Sequence, residues 1–261
     1  MELIGYAASL LIGLSLGLLG SGGSILTLPV LVYLFQVDPQ VGTAYSLVIV
    51  GATALVGVIP KALKKEVDFG TALLFGAPSI AAVYLTRAYL LPALPDHWGP
   101  LTKSQGLMVL FAVLMVLAAR GMLRDKSKTP SNRPSLSPWA KAGIVLGEGA
   151  GVGVLTGLVG AGGGFLIIPV LVLVTGLDMK RAVGTSLLII AAKSLIGFTG
   201  DLDHLDPDWF FLLRVTLVAL VGLAVGTFAA QKIPAKHLQK AFGYFVLVMG
   251  AFVLIKELAF P

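Results

Sequence analysis

With 261 residues, 57% of them hydrophobic and only 12% charged, and a mean hydropathy of +0.94, the chain has more apolar surface than a soluble domain of its size can hide. Its net charge of +6 comes from basic residues gathered in short loops between apolar runs, which points to membrane topology and not to a nucleic-acid partner. The absence of cysteine excludes disulfides, thiolate chemistry and a covalent sulfur relay.

An integral membrane protein remains, and at roughly 20 residues per spanning helix there is room for about eight to ten crossings joined by short loops. The first residues, Met1-Glu2-Leu3-Ile4, lack the basic stretch of a cleaved signal peptide. His97, His204 and His237 are scattered in loops without ligand spacing, so neither a metal nor another cofactor is expected.

In chain order, apolar runs fall at about residues 3–19, 25–36, 41–60, 69–91 and 104–123, and again at about 142–159, 165–177, 182–199, 208–230 and 238–256. Between them Arg124 to Pro138 is polar, basic and rich in Ser and Pro. The predicted organisation is a first membrane repeat over 1–123, a cytoplasmic linker over 124–139 and a second membrane repeat over 140–261.

The second group repeats the first. Gly20-Ser21-Gly22-Gly23-Ser24-Ile25-Leu26-Thr27-Leu28-Pro29-Val30-Leu31 returns 140 residues later as Gly160-Ala161-Gly162-Gly163-Gly164-Phe165-Leu166-Ile167-Ile168-Pro169-Val170-Leu171. Each copy puts helix-breaking glycines inside an apolar stretch, where a lipid-facing irregular backbone is not tolerated. The runs that follow are about 12 residues long and reach roughly 18 Å, well short of the ~30 Å hydrocarbon layer. The prediction is a glycine-broken or re-entrant hairpin in each half, entering from opposite faces with its tip near the midplane.

Lys61, Lys64, Lys65, Arg120, Arg124, Lys126, Lys128, Arg133, Lys141, Lys180, Arg181, Lys232, Lys236 and Lys240 are most of the basic residues, and their loops are assigned to the cytoplasm. The opposite loops are acid-rich, as in Asp201 to Asp208. Each half then crosses or re-enters an odd number of times. The expected architecture is all-α, with two inverted repeats of about five helical segments each and both termini outside the cytoplasm.

Backbone N–H groups released at the glycine turns Gly20, Ser21, Gly22, Gly23, Ser24 and Gly160, Gly162, Gly163, Gly164 would face an anion at the start of a helix. For a single glycine, tight helix packing is the stronger explanation; for the duplicated cluster it is a binding site. Pro29 and Pro169 should kink or loosen the short helices.

Thr43, Tyr45, Ser46, Thr185 and Ser186 open the next run of each half and supply neutral hydroxyls to the same anion, or else cap the helix. Lys193 lies deep in the run from Ala182 to Gly200, where Thr53 takes its place in the first half. It reads as a counter-charge to the anion or a proton-responsive amine, unless it snorkels toward Asp201 and Asp203. Glu148 is a candidate for carrying a coupling proton, or else snorkels or pairs with a basic neighbour. Arg87, Arg214 and Asp68 lie nearer segment ends and are assigned to the interface. Small residues such as Gly222, Ala224 and Gly226 offer a close-packing face for a homodimer.

Leu158-Val159 leading into the second glycine motif through Leu171, followed by Ala182-Val183-Gly184-Thr185-Ser186-Leu187, resembles the TauE/SafE sulfite exporter family, also called TSUP. The likeness spans nearly the whole chain. It implies a polytopic inner-membrane permease for small sulfur-containing anions such as sulfite, sulfonates, sulfoacetate or thiosulfate. The first half departs from the fuller pattern at Ser21, Ser24 and Tyr45. A carrier working by alternating access and an anion channel with the same hairpins as a filter remain open to the sequence. No nucleophile–base pair, metal cluster or cofactor fingerprint supports an enzyme. The glycines lack the Gly-Lys-Ser/Thr of a phosphate loop and the preceding strand of a dinucleotide fold.

Overall fold

A computed structural model describes residues 2–20, 23–98, 101–123, 138–230 and 235–259. Most of the linker, Ser21, Gly22 and Lys232 lie outside the described residues. Ten helices follow one another: α1 (Glu2–Leu19), α2 (Ser24–Leu34), α3 (Pro39–Leu63), α4 (Phe69–Ala93), α5 (Lys103–Leu123), α6 (Pro138–Val159), α7 (Gly164–Leu173), α8 (Met179–Thr199), α9 (Trp209–Ala229) and α10 (Ala235–Ala259). Two residue pairs, His97–Trp98 and Leu101–Thr102, form a small antiparallel ladder before α5.

The 140-residue register seen in sequence recurs in the helix starts, Ser24 with Gly164, Pro39 with Met179 and Phe69 with Trp209. The cause is local. Asp38 caps α3 by accepting the Gln40 N–H, and Asp178 caps α8 by accepting those of Lys180 and Arg181. Asp68 and Asp208 cap α4 and α9 in the same way, through the N–H groups of Thr71 and Phe211. Each carboxylate satisfies donors that an uncapped helix start leaves open. Those bonds, together with the neighbouring charge of Arg181, hold the Asp68 carboxyl below the usual carboxylate range.

Among the described residues six helices are long and apolar enough to cross a bilayer: α3, α4, residues 103–121 of α5, residues 142–159 of α6, α8 and α9. Large apolar side chains such as Phe69, Leu73, Leu213, Leu217, Val221, Val225 and Phe228 are exposed along their outer faces. Such a belt suits hydrocarbon and not water.

Glycines set the packing. On α9, Gly222 and Gly226 receive the backbone of α1, where a Cβ at Gly222 would stand 2.1 Å from the Leu10 carbonyl oxygen. The face proposed for a second copy is therefore filled by α1, apart from exposed Ala224. Gly149 and Gly153 of α6 meet Phe75 and Ser79 of α4 in the equivalent way. The residue pairs advance together in both cases, so α1 runs parallel to α9 and α6 parallel to α4. In the centre, Gly57 of α3 lies near Leu187 of α8, while Gly197 of α8 lies near Leu47 of α3. These two pairs exchange when 140 is added, and they run in opposite senses. The equivalent helices α3 and α8 are antiparallel.

Not every helical glycine is held by a close approach. A Cβ at Gly57 would meet Leu223 at 3.5 Å, an ordinary contact. Gly57→Ala is expected to stabilise the protein by up to about 1 kcal/mol, since glycine is the poorer helix former, and to raise its melting temperature in detergent.

Candidate functional site

The chain breaks its helices at the two glycine clusters. Gly20 (φ +74°) ends α1, and Gly160 and Gly163 (both φ +66°) bracket the irregular stretch between α6 and α7. L-side chains avoid this left-handed region at a cost of about 1–2 kcal/mol, which explains glycine there. After the first break α2 folds back along α1, so that Gly5 near the start of α1 abuts the Phe35 ring at the end of α2. Eleven residues reach roughly 16 Å, about half a hydrocarbon layer.

The two breaks meet inside the protein. A Cβ at Gly162 would stand 2.5 Å from Val50, 3.0 Å from Ile190 and 3.2 Å from Ser24. Val50 and Ile190 are equivalent positions near the middle of α3 and α8, and Ser24 is the first residue of α2. The starts of both short helices thus converge halfway along the central pair. Neither is capped by a side chain. The first N–H groups of a helix have no intrahelical acceptor and carry its positive dipole end, so this junction favours negative charge.

Lys193 joins it. Its Nζ donates to Thr156 Oγ1 at 2.9 Å, and Thr156 donates in turn to the Val152 carbonyl at 2.7 Å. A Cβ at Gly163 would come within 2.9 Å of Nζ. The side chain is buried, at 1% exposure, and among the described residues no carboxylate pairs with it. The ammonium faces the glycine tip and not Asp201 or the membrane surface. Only one of its three donors is spent on Thr156. At the equivalent place Thr53 merely donates back to the Ile49 carbonyl.

The hydroxyls are divided between tasks. Tyr45 OH accepts the Asp208 N–H at 2.8 Å and Thr185 Oγ1 accepts the Asp68 N–H at 2.9 Å, two bonds related by the 140-residue register that tie α3 to α9 and α8 to α4. Ser186 donates to the Val183 carbonyl at 2.8 Å, and Thr43 to that of Gln40 at 2.7 Å. Ser46 Oγ and Glu148 Oε2 are buried with no partner among the described residues. Ser24 and Gly164 lie buried at the junction itself.

Arg87 corrects its interfacial assignment. A π turn over Thr86–Leu90 holds it inside, at 1% exposure, where Nη1 donates to Thr43 Oγ1 at 3.0 Å and to Asp201 Oδ1 at 3.2 Å. Burial pushes the Asp201 carboxyl up from its ordinary range, and Arg87 pulls it back. Thr43 also touches the second tip, since a Cβ at Gly160 would stand 2.1 Å from its carbonyl oxygen.

Open space lies elsewhere. Two depressions of about 490 and 430 Å³ adjoin where α2, α3 and α9 meet, walled by Phe35, Asp208 and Phe211, with Tyr45 in the larger and Arg214 in the smaller. Neither reaches Gly162 or Lys193. The junction is closed to solvent in this conformation.

Apolar helices long enough to cross a bilayer, packed around short helices that meet beside a buried cation, fit a multi-pass membrane transporter. Residues 5–253 match the family described as Sulfite exporter TauE/SafE, and the chain belongs to that family. It is 30% identical over 252 residues to a probable membrane transporter protein of Xylella fastidiosa strain 9a5c, covering 95% of this chain and 93% of the relative. The probable membrane transporter protein YunE of Bacillus subtilis is 25% identical over 89% of this chain and 90% of its own length. For MJ0441 of Methanocaldococcus jannaschii, of the same description, the figures are 26%, 94% and 94%. No solved structure matches the chain significantly. The relatives are named as transporters, and this chain is a transporter and not an enzyme.

Proposed function

We propose that the protein is a secondary transporter of a small sulfur-containing oxyanion, sulfite or a sulfonate, which it binds where the two short helices meet and moves by alternating access. The observation that carries this reading is the convergence of Gly162, Ser24 and Lys193 halfway along α3 and α8. An anion placed there receives backbone N–H donors and one ammonium, replacing the hydration that it loses in a low-dielectric interior. Ser46, one turn before Val50 on α3 and with no partner for its hydroxyl among the described residues, is the candidate for a further neutral donor.

The antiparallel course of α3 and α8 supports two inverted repeats, over 1–123 and 140–261, joined by a cytoplasmic linker at 124–139. Rocking one against the other opens the junction to each face in turn. The larger depression lies at the α3 start and both adjoin Asp208 at the α9 start, at the end of α3 away from the basic turn of Lys61, Lys64 and Lys65; that charge asymmetry supports a non-cytoplasmic side for them and for the chain termini of an inner-membrane protein. Glu148, whose buried oxygen lacks a partner among the described residues, is the coupling-proton candidate.

Counterflow in proteoliposomes tests the reading. Sulfite or a sulfonate preloaded inside is expected to accelerate uptake of the labelled anion, with saturation, while a carboxylate of equal size competes more weakly. Single-channel currents without trans-stimulation would replace the carrier by an anion channel.

A further inference from the structure

We propose that Arg87 is a second oxyanion station on the translocation path, receiving a sulfonate-type group on the Nε–H/Nη2–H edge of its guanidinium. A guanidinium has five donors in a rigid fork, and the edge formed by Nε and Nη2 is one that grips two oxygens of a single anion with parallel bonds. In this structure that edge is unused: Nε and Nη2 are both buried with no partner among the described residues, while Nη1 alone is held by Thr43 and Asp201. A purely structural ion pair would be expected to turn the fork toward the carboxylate. Here Asp201 takes one bond at 3.2 Å and leaves its own Oδ2 without a partner among the described residues. Three unsatisfied polar atoms in one buried cluster are costly, and such clusters persist where a ligand uses them.

The position gives the edge its role. Thr43 accepts from Arg87 and its backbone lies against Gly160, whereas Lys193 lies against Gly163. The irregular stretch 160–163 therefore has one buried cation at each end, Arg87 toward the start of α3 and Lys193 halfway along it. An oxyanion with two oxygens on one face passes from one to the other without losing a positive partner. Gly200, whose Cβ would stand 3.1 Å from the Arg87 Cβ, lets the end of α8 pack closely against α4 at Arg87. Asp201 competes with the anion for the same guanidinium and sets how weakly it is held.

The inference rests on the transport reading above, and the test separates the two. Full-length protein is assayed with methanesulfonate, by binding in detergent and by counterflow in proteoliposomes. Arg87→Lys keeps a charge for Asp201 but loses the fork, and is expected to raise KM by roughly ten- to a hundredfold, the value of bonds to a charged group. Asp201→Asn removes the competitor and should lower KM severalfold. The double variant Arg87→Gln/Asp201→Asn leaves no buried charge unpaired, so it should keep the wild-type melting temperature and still show the raised KM.

Counterflow with unchanged KM in both Arg87 variants would overturn the station and leave the transport reading intact. Arg87-dependent methanesulfonate binding by a wild-type protein that shows no counterflow would support an anion site at Arg87 while removing both the transport reading and the site's place on a translocation path. Equal competition by neutral dimethyl sulfone would also overturn the station, because a charge-assisted fork discriminates against it.

Discussion

Gly160→Ala is expected to prevent assembly of the native protein, with loss of the monodisperse species on size exclusion and of all transport. Two independent penalties fall on the same residue. At φ +66° an L-side chain costs about 1–2 kcal/mol before any contact is considered. The new methyl would then stand 2.1, 2.4 and 2.5 Å from the O, Cα and C atoms of Thr43, all of them backbone. Such a clash is relieved only by moving the start of α3, which carries with it the Thr43–Arg87 bond and the Tyr45–Asp208 bond between the halves. Together these exceed about 3 kcal/mol, a large share of the marginal stability of a typical fold.

The equivalent Gly20→Ala differs in a telling way. Its φ of +74° brings the same strain, but its methyl meets the Val183 side chain at 2.1 Å and not main chain. That variant should fold with a lowered melting temperature. If Gly160→Ala elutes and melts like the wild type, the tight seating of the second tip against α3 is wrong.

The duplication explains why much of this was legible. A 140-residue offset, read from Gly20 and Gly160 onward, recurs in the starts of six helices, four of them set by the same capping logic at Asp38, Asp178, Asp68 and Asp208 and two by the glycine breaks. Lys193 stood out because a charge so far inside an apolar run needs a reason. The equivalence failed where the halves have diverged in packing. Pro29 leads into a π turn closed by the bond from Phe35 N–H to the Val30 carbonyl at 3.2 Å, as the expected loosening requires; α7 continues as a regular helix through Pro169.

Arg87 was hidden for a different reason. Its nearness to the segment end suggested an interface, but its partner Asp201 is 114 residues away, and only the packing of α4 against the end of α8 brings them together. Tyr45 and Thr185 carried a partial signal. Each is a polar group nearly two turns into its helix at the repeated register, and each turns out to accept from the N-cap residue of a helix in the other half. Thr156, one turn before the second break, was the available sign of what Lys193 would bind.

Lys193→Met is expected to raise the melting temperature while lowering transport by about a hundredfold, the upper range for loss of a bond to a charged group. The stability half follows from burial. A single hydroxyl, Thr156, is the described partner of an ammonium held at 1% exposure, and a Lys at mid-membrane costs roughly 2.5–3.5 kcal/mol on insertion scales. Methionine fills nearly the same volume with no charge to bury, so the exchange removes a cost without opening a cavity. The functional half follows from the contact at Gly163: with no ammonium there, an anion at the junction keeps its backbone donors but loses its only adjacent full charge among the described residues. A structural lysine behaves in the opposite sense, since its removal would strand Thr156 and lower the melting temperature while leaving flux in the folded fraction unchanged. Thermal unfolding and counterflow measured on one preparation separate these outcomes, and a variant that is both destabilised and fully active would take Lys193 out of the binding site.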